Sequence, residues 1–291
     1  MLKTHTGKCS DATRFAAYVM RALGIAVVTD FSPCWANKDV GHQWNALIYN
    51  GKPLFFTGTE SNIAQYKIIF TRSYWIRRKR GKIYRVIYED NAQNLADKAK
   101  DIEEIPPFFE NTHLLDVTRS YVPSHDATIH LSGTVPKSKF AYLCVFNEQM
   151  WKPIAWASIN HFNRTTFNDL EAGIIYLPVY YKDDSLIPAG PSFILNNDGS
   201  ITSLIPDNKK QRNITLYQKY PEEKSNNIFP NMHYELFYWD NKWLSAGKQV
   251  STKTYLTYQN MPSNTLFWLK NLDKGKQERI FTYENEKQIW W

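Results

Sequence analysis

From His113 onward, apolar and aromatic residues recur every second position in short runs, and this period fixes what most of the chain can become. The runs DVTRSYV, ATIHLSG, FAYLCVFN, WKPIAWASI, AGIIYLPVYY and SFILN are separated by Gly, Pro, Asn and Asp, and GSITSLI follows the turn Asn197-Asp198-Gly199. Side chains alternate across a strand, so such runs bury one face each, and turn residues at this spacing join them antiparallel. The spacing predicts a β-sandwich over 111–220, with Pro206–Asn213 as a polar loop and ITLYQKY as its last strand. A linker over 221–230 (PEEKSNNIFP) precedes a second, smaller all-β unit over 231–291. Its strands are HYELFYWD, KWLSAG, KTYLTYQN, NTLFWLKNL, RIFTYEN and KQIWW, with tight turns at Asp240–Asn241 and Asn285–Glu286. Aromatic residues make up 15% of the 291 residues, an excess that suits pleated surfaces.

The first 90 residues read differently. From Ser10 the apolar positions Ala12, Phe15, Ala16, Val19, Met20 and Leu23 recur at helical spacing, and Gly24 is the stop. Gly7, Lys8 and Ser10–Asp11 supply the turn and the cap, which puts Cys9 at the helix N-terminus, where unpaired N–H groups favour an anion. VVTDF (27–31) is a strand, Pro33–Gly41 a loop, and His42 heads the strand HQWNALIY. Asn50–Gly51 then makes a two-residue hairpin turn into KPLFFTGTE, and pairing Tyr49 with Lys52 fixes its register. A thiol on a helix end and an imidazole on a neighbouring strand are the two parts a thiol nucleophile needs. Each residue taken separately has a common structural use, cysteine as a small buried apolar side chain and histidine as a packed ring.

GKCSDATRFAAYVMRALGI followed by PCWANKDVGHQWNAL resembles the transglutaminase-like superfamily, whose members share a papain-like core. The resemblance covers about the first 60–90 residues; the middle and the ending look like the rest of multidomain bacterial transglutaminase-like proteins. It implies that Cys9 attacks an amide or ester carbonyl, that His42 is its base, and that a carboxylate orients the imidazole. It also implies an extracytoplasmic parent and an upstream helical segment carrying the oxyanion donor. Only eight residues precede Cys9, so the chain reads as an N-terminally short relative. The expected class is α+β, a partial papain-like transglutaminase core over 1–90 and a linker over 91–110, followed by two all-β, β-sandwich-like domains.

The third catalytic position departs from the family pattern. The hairpin register places Thr59 opposite His42, where the family carries an aspartate, and Glu60 is the nearest carboxylate. A one-residue bulge would bring Glu60 round, and a threonine hydroxyl could accept the imidazole N–H but would not stabilise an imidazolium as a carboxylate does. The assignment is therefore Cys9, His42 and Glu60, with Thr59 as the alternative.

Other classes of function are not supported. The net charge of +7 is concentrated in Arg72–Lys82 (RSYWIRRKRGK), six basic residues without an acid, which reads as a solvated face. No nucleic-acid motif accompanies it. The three cysteines form no disulfide framework, and Cys144 within FAYLCVF reads as core. Cys34 in Pro33-Cys34-Trp35 reads as a packed loop in preference to a redox partner for Cys9. No Cys-x-x-Cys and no other metal-ligand spacing is present, no cofactor is implied, and no apolar run of spanning length or signal peptide appears. Trp151, Trp156, Trp239 and Trp243 could serve as aromatic platforms for glycans, although sandwich cores use such rings too. Two functions follow. One is a thiol enzyme that forms an acyl-enzyme on a protein or peptide and passes it to water or an amine. The other is a non-enzymatic surface protein that retains the old core to bind protein or glycan.

Overall fold

The computed structural model describes residues 6–58, 78–132, 138–219, 227–274 and 278–291. Three antiparallel sheets and two accessory strand pairs make up most of it, 50% strand against 10% helix, and this overturns the expected α+β class with a papain-like core. Its physical cause is how little helical surface there is to bury. Among the described residues, α1 (Cys9–Ala22) is the one helix of more than two turns, and α2 (Leu95–Ala99) has five residues. The β-branched and aromatic residues elsewhere pair with sequence neighbours across tight turns, which builds sheets locally.

The first sheet contains β1 (Val27–Ser32), β2 (His42–Tyr49), β3 (Lys52–Phe56), β4 (Tyr84–Val86) and β5 (Leu114–Asp116), in the order β3-β2-β1-β4-β5. The hairpin has the expected register, with Tyr49 opposite Lys52 and Asn45 opposite Phe56. Helix α1 ends as its sequence dictates. Gly24 adopts φ +74°, its N–H reaches the Arg21 carbonyl at 2.9 Å, and the Ile25 N–H reaches Met20 at 2.9 Å.

The middle block follows as β6 (Ser124–His130), β7 (Phe140–Asn147), β8 (Met150–Ser158), β9 (Arg164–Glu171), β10 (Ile174–Lys182), β11 (Ser185–Pro188), β12 (Ser192–Leu195) and β13 (Ile201–Leu204). Its main sheet runs β13-β12-β10-β7-β8, with β11 on β10, and β6 pairs with β9 as a separate ribbon. Every residue of β7 is buried. One of its faces sends Leu143 and Val145 into a core shared with Ala127, Phe167 and Leu170 of the ribbon and with Cys34 and Ala36 of the first block. The other face sends Tyr142, Cys144 and Phe146 against Leu95, Ala99 and Phe109 and against Trp239, Trp268 and Ile280 near the C-terminus. A strand covered on both sides has no polar face, which is why FAYLCVFN reads as one continuous apolar run. Burying each of its large side chains contributes roughly 1.5–3 kcal/mol.

The last block comprises β14 (Asp207–Leu216), β15 (His233–Trp239), β16 (Trp243–Val250), β17 (Leu256–Ser263), β18 (Phe267–Asn271), β19 (Ile280–Glu284) and β20 (Lys287–Trp290). Its sheet runs β16-β15-β18-β19-β20, and β14 pairs with β17. The polar stretch expected to be a loop, Pro206–Asn213, is largely strand: β14 begins at Asp207 and pairs through an irregular register with β17. A solvent-facing strand gains stability from its ladder and needs few apolar side chains, so the residues there gave no period. Leu216, Ile214 and Tyr258 of this pair cover the second face of the C-terminal sheet.

The basic run is not a solvated face where it is described. Arg78, Arg80 and Lys82 are 3%, 7% and 3% exposed. They cross between the first and middle blocks, where anionic and carbonyl partners await them. Glu171 takes the Arg80 guanidinium at 2.9 Å and the Arg80 N–H at 2.5 Å, and Lys79 donates to the Ala172 carbonyl at 2.7 Å. Lys82 pairs with Asp116 and donates to the Asn168 carbonyl at 2.6 Å. No described helix is long and apolar enough to cross a membrane.

Candidate functional site

The site starts with the docking of α1 on the first sheet. Thr13 Oγ1 donates to the Cys9 carbonyl at 2.7 Å and lies 3.4 Å from the Gln43 carbonyl, while Asn45 Nδ2 donates to the Thr13 carbonyl at 3.1 Å. One turn on, Ala17 joins Leu47, Val27 and Phe56 in a small apolar cluster. The helix therefore advances along β2 in the same direction as the strand. One turn back from Thr13, Cys9 comes level with His42, the first residue of β2. Cys9 is the first helical residue, with the Lys8 N–H held by the Asp11 carboxylate at 2.8 Å. Cys9 is half-buried, and Cys34 and Cys144 are buried free thiols.

Cys9 and His42 line one cleft of about 360 Å³, together with Phe31, Ser32, Pro33, Gly41, Gln43 and Phe108. Sequence reasoning missed Phe108. Pro106–Pro107 read as a stop, whereas Pro107 starts a 3₁₀ turn (Pro107–Glu110) that delivers Phe108 to the edge of Phe31 (6.4 Å between centroids). Proline at the first position of a helical turn costs no hydrogen bond, so the dipeptide starts this turn as readily as it breaks a chain.

Strand alternation sets the surroundings of the imidazole. Asn45 and Leu47 face α1, so His42 and Trp44 share the other side of β2. The His42 ring lies near parallel to those of Trp35 (6.1 Å between centroids, 19°) and Trp44 (6.0 Å, 23°). Burial among these rings lowers its pKa from 6.5 to about 4, so the imidazole is neutral at pH 7. Trp44, 1% exposed, is fixed from behind: its Nε1–H donates to the Tyr121 hydroxyl at 2.8 Å, and Tyr121 donates to Asp30 Oδ2 at 2.5 Å. Asp30 is fully buried and is held bidentately by Arg85 at 2.8 and 2.7 Å. This carboxylate lies two residues along β1 from Ser32, the register partner of His42, and Arg85 and Tyr121 already use both of its oxygens.

The loop between Ser32 and His42 is pinned by parts of the chain that are distant in sequence. Asn147, at the end of β7, donates to the carbonyls of Trp35, Lys38 and Val40 at 2.8, 2.8 and 3.1 Å. Arg279, just ahead of β19, donates to the carbonyls of Ala36 and of Phe146 (2.8 Å) and to that of Trp291. The loop closes at Gly41, where a Cβ would stand 2.4 Å from the Pro33 carbonyl oxygen. Trp35 is buried at 5% and the Asn37 side chain accepts the Lys79 N–H at 2.9 Å, so both serve the scaffold.

Thr59 and Glu60 lie outside the described residues. Described β2–β3 pairing stops at Asn45 and Phe56, three residues short of the predicted His42–Thr59 pair. Among the described residues no group of three or more His, Cys, Asp or Glu could hold a metal ion. Of the four tryptophans read as glycan platforms, Trp151 and Trp239 are buried in the core between the middle and last sheets and Trp243 packs against it half-buried, the three meeting Phe146 and one another edge to face at 5.0–5.8 Å. No known family model matches the chain, and no curated protein matches it.

Proposed function

We propose that the chain is a thiol enzyme acting on amide or ester bonds of a protein or peptide through an acyl-enzyme on Cys9. The observation that carries this reading is the convergence of Cys9 and His42, each the first residue of its element, on one cleft. The motif resemblance to the transglutaminase-like superfamily supports the same two roles. The neutral His42 ring can accept the thiol proton as Sγ attacks the carbonyl carbon, then give it to the departing amine or alcohol. Water or an amine resolves the thioester. The Cys9 N–H is one donor for the developing oxyanion. The Trp35 and Trp44 rings pack near parallel to the imidazole, and the sequence reading gives its orienting partner as Glu60, with Thr59 as the alternative. Phe31 and Phe108 give the cleft an apolar wall on which a substrate side chain can pack.

The test is iodoacetamide alkylation of Cys9, mapped by mass spectrometry from pH 4 to 9, in wild type and His42→Ala. A base beside the thiol predicts that the substitution slows Cys9 alkylation at least tenfold near pH 7. Cys9→Ala should abolish hydrolysis of a small thiol-sensitive ester. Identical alkylation profiles, with ester hydrolysis unchanged by Cys9→Ala, would sink the enzyme reading and leave the non-enzymatic binding protein in its place.

A further inference from the structure

A second cleft, of about 480 Å³, opens away from Cys9 between α2, β5 and the outer strands β8 and β9 of the middle block. Its volume is in the range of small-ligand sites. We propose that this cleft binds a neutral saccharide, with Trp156 as the stacking platform and Asn168, Asn111 and Ser158 as hydroxyl partners.

Trp156 of β8 packs at the margin of the core between the sheets and also lines the cleft. It is half-buried, with Phe140 at its edge (5.7 Å) and the Lys98 ammonium 5.2 Å from its ring centroid. Lys98 also lines the cleft, so the ring face it covers is turned toward the cavity. The ammonium also donates to Gln93 Oε1 at 2.6 Å, and an exposed ammonium over an indole is itself a weak contact, which a ligand presenting apolar C–H groups to the ring displaces. Sugar rings carry such a face and a rim of hydroxyls.

Polar groups around the floor are nearly all uncharged. Asn91 and Asn94 are committed to the fold: Asn91 donates to the Leu114 carbonyl at 2.7 Å, and Asn94 caps α2 through the Asp97 N–H at 2.8 Å. The Asn168 and Ser158 side chains have no hydrogen-bond partner among the described residues, and Asn111 uses only its oxygen, which accepts the His113 N–H at 2.9 Å. Amides offer a donor and an acceptor side by side, which matches vicinal hydroxyls. Lys82 and Asp116 neutralise each other by direct pairing, which leaves the exposed Lys98 ammonium as the cleft's one charge without an acidic partner among the described residues, and the salt arm of the test below reads its part.

The experiment is calorimetric titration of the whole chain with cellotriose, maltotriose and chitotriose, in low salt and in about 0.5 M salt, where exposed charges are largely screened. Trp156→Ala and Asn168→Ala are titrated alongside, with the unfolding midpoint of each measured. At least one saccharide should bind, with little salt dependence, and Asn168→Ala should weaken it about fivefold or more. Trp156→Ala should weaken it tenfold or more. Asn168 is exposed, so its variant keeps the fold and the test stands even if Trp156→Ala unfolds. The proposal is overturned if none of the three binds, if binding is lost in salt, or if Asn168→Ala binds as wild type does.

Discussion

Arg279 is where a single substitution should loosen the candidate site from the far end of the chain. It is 1% exposed, and its guanidinium reaches three backbone carbonyls, those of Ala36, Phe146 and Trp291, with Asp39 at 3.5 Å. Arg279→Met keeps the aliphatic stem and removes every donor. Hydrogen bonds from a charged group contribute about 1.5–3 kcal/mol each. Three in one network do not add fully. The expected net loss is about 3–5 kcal/mol, the range found for breaking buried charged contacts. Urea denaturation at pH 7 measures it. A local readout separates this mechanism from general weakening. Cys34, in the pinned loop, is buried, and burial raises its thiol pKa to about 11, so it should react slowly with a disulfide reagent. Releasing the Ala36 carbonyl should speed Cys34 labelling at least tenfold, while Cys144, fully buried in β7, stays protected. A loss under about 1 kcal/mol, or equal acceleration at both cysteines, would refute the pinning argument.

The pH dependence of stability follows from His42. Its folded pKa is depressed, so the unfolded chain takes up a proton below pH 6.5 that the folded chain accepts only below about 4. Stability is therefore complete above pH 6.5 and falls as pH drops toward 4. At 1.36 kcal/mol per unit the ceiling is about 3 kcal/mol, and residual solvation of the half-buried ring reduces it to about 2; His42→Gln should flatten this limb of the urea midpoint against pH. Gly41→Ala should lower stability by about 2 kcal/mol or more, because the added Cβ meets backbone at 2.4 Å, and a thermal midpoint equal to wild type would contradict the geometry. Glu171→Gln removes the carboxylate that accepts from both the Arg80 guanidinium and the Arg80 N–H, and about 3 kcal/mol should be lost in urea. A neutral result there would mean that the 78–82 crossing is held by its other contacts.

The two halves of the candidate site differ in how far the sequence determined them. Local rules were enough for α1 and its Gly24 stop, for the Tyr49–Lys52 register and for the strand-period runs, because helix caps, two-residue turns and side-chain alternation are decided within a few residues. They also placed Cys9 and His42 at the starts of their elements. What they could not supply is the partner of each face. The basic residues at 78–82 looked solvated because their acids, Glu171 and Asp116, stand 34 to 91 residues away. The polar strand β14 had no period to read, since its ladder and not its side chains holds it. Trp151 and Trp239 could have faced water or one another, and only the stacking of the middle and last sheets turned them inward, with Trp243 packed half-buried against them. The same is true of the wall beside His42: its loop takes its shape from Asn147 and Arg279, through backbone carbonyls that carry no sequence signal at all. Burial and long-range pairing are properties of the assembled layers, and they decided the class of the fold as well, by leaving α1 as the sole substantial described helix on a molecule of sheets.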